Sequence, residues 1–175
     1  VVEHYVSGCR AGGWHVELQA VRKDGVGRIG APGVAVGLGG GPGGDGAAQS
    51  TAFPSSMAVA ATFDPELARE QGGAIARELL THGMNVLLAP NLDIVRHPWW
   101  GRATEQYGED PHLTGRMGEG FIRGVQENGV LANAKHFAAY TQESGRMQAN
   151  DIRMDETTLR EIYLAAFERA VTVAK

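Results

Sequence analysis

The sequence carries one cysteine, Cys9, in 175 residues. That excludes an internal disulfide framework and a multi-cysteine zinc site. It has no basic excess: 16 Lys plus Arg stand against 20 Asp plus Glu, for a net charge of −4. A protein that grips a phosphate backbone needs a positive stripe, which this balance does not offer. Long apolar runs are missing as well. The longest, Met57 to Phe63 with Thr62 counted as neutral, is far short of the roughly 20 residues that cross a bilayer. The segment Val1-Val2-Glu3-His4-Tyr5 has neither the basic n-region nor the apolar h-region of a secretory signal. His4, His15, His82, His97, His112 and His136 show no H-x-x-x-H or H-E-x-x-H spacing, which argues against a metal site. No G-x-S-x-G elbow is present.

Glycine, by contrast, is abundant. There are 25, about twice the usual share, and eleven fall between Gly25 and Gly46. The run Gly37 to Gly46 reads as a loop, because so much Gly is costly to order and Pro42 breaks any ladder. Ala31 to Val36, just before it, reads as a short strand. Two G-x-G-x-x-G matches occur, Gly25-Gly27-Gly30 and Gly39-Gly41-Gly44. A dinucleotide fingerprint must open a helix after a strand, but Ala31-Pro32-Gly33 and Asp45-Gly46 follow here. Pro42 also lacks the N–H that a phosphate cradle uses. A nucleotide is therefore not expected, and neither is any other cofactor.

From Thr51 onward the pattern alternates between helix and strand. Asp64-Pro65 reads as an N-cap with Pro at the first helical position, followed by a stripe of Leu67, Ile75, Leu79 and Leu80 that stops at Gly83. Asn85 to Ala89 is a buried-strand candidate. Asp110-Pro111 repeats the cap, with Leu113, Met117, Phe121 and Val125 at i+4 spacing and Asn128-Gly129 at the end. Val130 to Ala134 is the next strand; Asp155 then caps a helix with Leu159, Ile162, Ala166, Phe167, Ala170 and Val171 on one face. Strand, long loop, helix, repeated, is the pattern of a parallel α/β protein, in which ligands bind at the carboxyl ends of the strands.

Two strand-end loops hold the chemistry. The first, Asn91 to Glu109, has Trp99, Trp100, Tyr107 and Arg102. Flat aromatic faces and forked donors suit sugar rings. The structural alternative is that both tryptophans pack over the sheet end while Arg102 pairs with Glu105 or Glu109. Asp110 reads as a cap and not as a catalytic acid. The second loop opens with Lys135-His136-Phe137 and continues Tyr140-Thr141-Gln142-Glu143-Ser144-Gly145-Arg146. His136 fits either a general base or a hydrogen-bonded core histidine, and local sequence favours the latter. Glu143 reads as structural or as an Arg146 partner.

In joint order and spacing these residues resemble the N-terminal domain of glycoside hydrolase family 3, the β-glucosidase-like family. The matching text is Thr51-Ala52-Phe53-Pro54, Ala61-Thr62-Phe63-Asp64, Gly101-Arg102 with Glu105, Gly108-Glu109-Asp110-Pro111, Lys135-His136-Phe137, Gln142-Glu143 with Arg146, and Leu159 to Leu164 with Phe167-Glu168. The resemblance implies an α/β fold, a (β/α)8 TIM-barrel-like domain that is incomplete in this chain, since such a barrel takes about 250 residues. It divides the sequence into a Gly-rich segment at 1–50, with the first strand region, and βα units at 51–175. It implies a retaining hydrolase of terminal non-reducing β-D-glycosidic bonds, with two carboxylates flanking the bond. Arg102, Lys135, His136 and Arg146 match the residues that hold sugar hydroxyls. Ala138-Ala139-Tyr140 after Phe137 favours the β-glucosidase-like branch over the N-acetylglucosaminidase type.

The family's nucleophile lies in a Ser-Asp-Trp-like motif, and no Ser-Asp pair occurs here, so it is expected beyond Lys175 and the 175-residue chain is expected to be inactive alone. Gly40-Gly41-Pro42 stands where the family has Asp-Gly-Pro, with Asp45 the nearest substitute carboxylate. That replacement motivates the alternative of a non-catalytic member that binds carbohydrate or a partner. The expected partners are a β-glucoside or related sugar, the rest of the barrel and a second α/β domain, with no nucleic acid and no membrane. The compartment is open: cytoplasmic is preferred, and a leader upstream of Val1 would make the protein secreted.

Overall fold

Local signals decide where the helices begin. A computed structural model of the protein describes residues 51, 53–81, 83–141 and 151–174, together with the backbone of 20–21. Its strands are β1 (Ala20–Val21), β2 (Val86–Leu87) and β3 (Leu131–Ala132). Its helices are α1 (Ser56–Ala60), α2 (Pro65–Thr81), α3 (Pro111–Glu127), α4 (Glu156–Thr158) and α5 (Ala165–Arg169). Wide π-turns, Leu159–Leu164 and Ala170–Ala174, follow α4 and α5. Each predicted cap is in place. Asp64 Oδ1 accepts from Glu66 N at 2.9 Å, Asp110 Oδ1 from Leu113 N at 2.6 Å, and Asp155 Oδ1 from Thr158 N at 2.8 Å. These bonds satisfy amide donors that a helix start leaves without partners. Gly129, at φ 78°, ends the α3 turn in a conformation that side chains disfavour.

The three strands lie in the order β1-β2-β3. β2 and β3 are parallel, Val86 opposite Leu131 and Leu87 opposite Ala132, and α3 makes the crossover between them. The ladder extends past the named strands: Leu131 N bonds Asn85 O at 2.9 Å, Asn133 N bonds Leu87 O at 2.8 Å, and Lys135 N bonds Pro90 O at 3.0 Å. This is the expected parallel βαβ unit. β1 departs from a wholly parallel sheet, since it runs antiparallel to β2. An antiparallel strand at the edge of a mostly parallel sheet is a common arrangement. The strand read at Ala31 to Val36 lies outside the described residues, as do the Gly-rich loop, Cys9, Gly40 and Asp45.

The core joins Ile75 and Leu79 of α2, Met117, Phe121 and Val125 of α3, Leu87, Leu92 and Phe167. The α3 stripe is as its spacing predicts, except that Leu113 packs at the margin. The α2 stripe is corrected. Leu67 and Leu80 are exposed, and the buried face is Ala68, Gly72, Ile75, Ala76 and Leu79. The reason is distance: at Gly72, Gly120 and Gly124 the backbones of α2 and α3 come so close that no side chain fits between them. A Cβ on Gly124 would collide with the Arg69 carbonyl oxygen, and one on Gly120 with that of Pro65. In the last helical stretch Val171 is exposed, while Tyr163 is buried in its stead. No described helix is long and apolar enough to cross a membrane.

Candidate functional site

The segment Asn91-Leu92-Asp93-Ile94 continues β2 in extended form. Asn91 bridges Lys135 of the next strand in parallel, and Leu92 N bonds Lys135 O at 2.7 Å. Alternation along a strand sends Leu92 and Ile94 to the core and Asn91 and Asp93 to the other face. That face is nevertheless closed: Asn91 is 7% and Asp93 2% exposed. Buried polar groups need partners; Asn91 Nδ2 and Asp93 Oδ2 find theirs in the two strand-end loops, while Asn91 Oδ1 and Asp93 Oδ1 have none among the described residues.

Arg102 leads the short 3₁₀ turn Ala103–Glu105. Its Nε donates to Glu105 Oε1 at 2.7 Å and its Nη2 to Glu105 Oε2 at 2.5 Å, a forked, charge-assisted pair. Asn91 Nδ2 donates to the same Oε2 at 2.6 Å. Arg102 Nη1 lies 3.1 Å from His136 Nε2. His136 Nδ1 lies 2.7 Å from Asp93 Oδ2, and the His136 backbone N donates to that oxygen at 3.1 Å. Tyr140 closes one side, its ring 4.8 Å from the His136 ring and 5.7 Å from the Arg102 guanidinium carbon. Trp100 packs edge-on against Tyr140 at 6.2 Å.

The electrostatics follow from this enclosure. Burial opposes the Arg102 charge, but the Glu105 hydrogen bonds and charge, with a contribution from Tyr140, hold its pKa above the ordinary value. Burial likewise pushes Glu105 up, and Arg102 more than offsets it, so the carboxyl sits below the usual range. Asp93 is raised by burial, against the pull of His136 and Arg102. Lys135 is half-buried, and no hydrogen bond or ion pair ties its ammonium to any described residue. Burial and the neighbouring Arg102 charge lower its pKa to about 8. A cationic donor with no hydrogen-bond partner among the described residues, beside a braced guanidinium, is equipped to donate to a polar, uncharged ligand.

Of the four residues read from sequence, the structure brings Arg102, Lys135 and His136 together, and Arg146 lies outside the described residues with Glu143. Between the two partners weighed for Arg102, the structure selects Glu105. The tryptophans divide: Trp100 is buried, but Trp99 is 86% exposed. Asp93, Asn91 and Tyr140 were not singled out. The usable signal for the first two was the period-2 alternation of Asn91 to Ile94 directly after a strand.

Residues 20–175 match the family model described as the glycosyl hydrolase family 3 N terminal domain. Beta-glucosidase B of Emericella nidulans is 44% identical over 126 residues, which is 72% of this chain and 15% of that protein. Thermostable beta-glucosidase B of Acetivibrio thermocellus is also 44% identical over 126 residues, 72% of this chain and 17% of its own length. Beta-glucosidase 3B of Thermotoga neapolitana, solved in complex with alpha-D-glucose, superposes with a TM-score of 0.71 at 45% identity, covering 75% of this chain and 18% of that one. The chain thus spans less than a fifth of the length of these relatives. Its βα succession is part of a TIM-barrel-like N-terminal domain. The match over 20–175 is broad enough to assign the family: this chain belongs to glycosyl hydrolase family 3.

Proposed function

We propose that this chain supplies one wall of the sugar subsite of a retaining glycosidase that removes terminal non-reducing β-D-glycosyl units, β-glucosides foremost. The observation that carries the reading is the convergence of Arg102, Lys135 and His136 at the ends of two adjacent parallel strands, where ligands of such folds bind. Arg102 and Lys135 donate charge-assisted hydrogen bonds to ring hydroxyls, and Arg146 is read as a further donor from its match to the family's sugar-holding residues. His136 is held against Arg102 and orients it. Bonds of this kind fix the sugar and strengthen as charge develops at the anomeric carbon, so they lower the barrier and not only KM. The two carboxylates of the retaining mechanism attack and protonate across the bond. Neither is assigned to a residue of this chain, whose residues 51–175 we read as βα units of the barrel.

The test is direct. The full-length protein, assayed on aryl β-D-glucoside, β-D-xyloside and α-L-arabinopyranoside, is expected to hydrolyse at least one with retention of configuration, and the 175-residue chain alone none. Turnover by the short chain would overturn the placement of the carboxylates outside it. A second reading, a sugar-binding member without catalysis, is favoured by Gly40 in place of the family's Asp. It predicts glucose binding by the full-length protein with no turnover of any of the three.

A further inference from the structure

The hydrogen bonds around Arg102 form a closed circuit, and both of its ends rest on one short segment. From Asp93 the path runs to His136, then Arg102, then Glu105, and returns to Asn91, two residues before Asp93. Donor chemistry fixes the protons along it. A guanidinium has only N–H groups, so where Arg102 Nη1 meets His136 Nε2 at 3.1 Å, the imidazole nitrogen must accept. At the other end of the ring Asp93 Oδ2, 2.7 Å from Nδ1, is a carboxylate acceptor, so Nδ1 must carry the proton. Only the neutral Nδ1–H tautomer satisfies both contacts. A doubly protonated ring would set Nε2–H against Nη1–H, and the opposite tautomer would leave a lone pair facing a carboxylate.

Asp93 is built for this task. Its side chain is 1% exposed. One oxygen, Oδ2, receives both the backbone N–H and the ring N–H of His136, so it sets the position of the residue and the rotation of its ring together. We infer that Asp93 is a positioning residue: it fixes His136 as the Nδ1–H tautomer and thereby holds the Arg102 guanidinium in the pose that meets the sugar. The consequence for the sugar rests on the function proposed above; the consequence for the histidine does not. Carboxylates behind metal-bound imidazoles fix tautomer and ring orientation in the same way, and losing such a partner there costs about 10- to 100-fold.

The experiment uses the full-length protein with ¹⁵N-labelled histidine, and His136→Gln identifies the His136 signals by their loss. At neutral pH the ring is expected to show a protonated Nδ1 and an unprotonated Nε2. An Nε2–H tautomer, or a doubly protonated ring, overturns the proposal without any variant of Asp93. Asp93→Asn, whose amide can donate as well as accept, is expected to shift the ring away from the pure Nδ1–H form. It is also expected to lower kcat/KM on the best aryl glycoside by about 10- to 100-fold, chiefly through kcat. An unchanged tautomer together with unchanged kcat/KM in that variant overturns it as well. Should the protein hydrolyse no glycoside, the functional reading fails, while the wild-type histidine spectrum still decides for or against Asp93.

Discussion

Between α2 and α3 the chain brings backbone against backbone; at the ends of β2 and β3 it brings charge against charge. The helix seam contains Gly72, Gly120 and Gly124, each in contact with the partner helix's backbone, flanked by Ile75, Leu79, Met117 and Phe121. Its polar links lie at the rim, Arg69 to Glu127 at 2.9 Å and Arg77 to Asn128 at 3.3 Å. Such exposed pairs add little, so the seam holds by close packing. The strand-end cluster encloses Asp93, Glu105, Arg102 and Lys135 together, and an apolar set of equal volume would often be at least as stable. On the proposed function, ligand binding accounts for this cluster better than folding does. The two regions should therefore fail differently when altered: the seam in stability with function following, the cluster in function with stability kept.

The largest effect is expected at Gly124. Gly124→Val adds a branched side chain where even a Cβ meets the Arg69 carbonyl oxygen, and neither backbone can yield without parting the helices. A loss above about 4 kcal/mol, or failure to accumulate as folded protein, is expected in denaturant unfolding of the full-length protein. Gly73→Ala is the control. Its Cβ would meet the tips of Asn128 and Arg77, which can swing away, while helix propensity improves by about 1 kcal/mol. Equal damage from both variants would refute the claim that backbone approach, and not glycine as such, sets this seam.

Arg102→Ala tests the other region. Loss of the forked donor is expected to lower kcat/KM on an aryl β-glucoside by about 10²- to 10³-fold, comparable to removing a donor aimed at developing charge. Unfolding should show a much smaller change than Gly124→Val, because the site lies at loop ends and not in the core. A large loss of stability with kcat/KM intact would reverse the contrast between the two regions.

The same contrast explains what was legible. The caps at Asp64, Asp110 and Asp155 were readable because a cap is a local event, decided by one side chain and the amides next to it. The α3 stripe was readable because Met117, Phe121 and Val125 are large and evenly spaced. Leu67 and Leu80 misled on α2, because the true buried face joins Ile75 and Leu79 to Ala68, Gly72 and Ala76, and small residues carry almost no hydrophobic signal. In the site, Arg102 and the Lys135-His136 pair stood out by residue type. Asp93 did not, for an aspartate after a strand looks like any solvated loop residue until the second loop, 43 residues on, covers it. Long-range burial of a polar group leaves no mark in its local sequence.

Lys135 offers the smallest effect and the one in which both regions' rules meet. Its ammonium is half-buried, unpaired among the described residues and lowered to about 8 from an ordinary 10.5. The folded state thus prefers the neutral amine, and holding the charge works against folding. That penalty is fully present below about pH 8. Between about 8 and 10.5 the unfolded chain binds more protons than the folded one, so stability rises with pH across that window. Lys135→Met removes the charge and keeps the length. It is expected to stabilise the protein on the order of 1 kcal/mol at pH 7, and to flatten the rise above pH 8. In the wild type, sugar affinity should run the opposite way, strongest below about pH 8 and falling above it as the donor loses its charge. Denaturant unfolding and glucose titrations at pH 7 and pH 9 read both quantities on one sample. If Lys135→Met is less stable than wild type at pH 7, the ammonium belongs to the packing of the fold and not to its ligand.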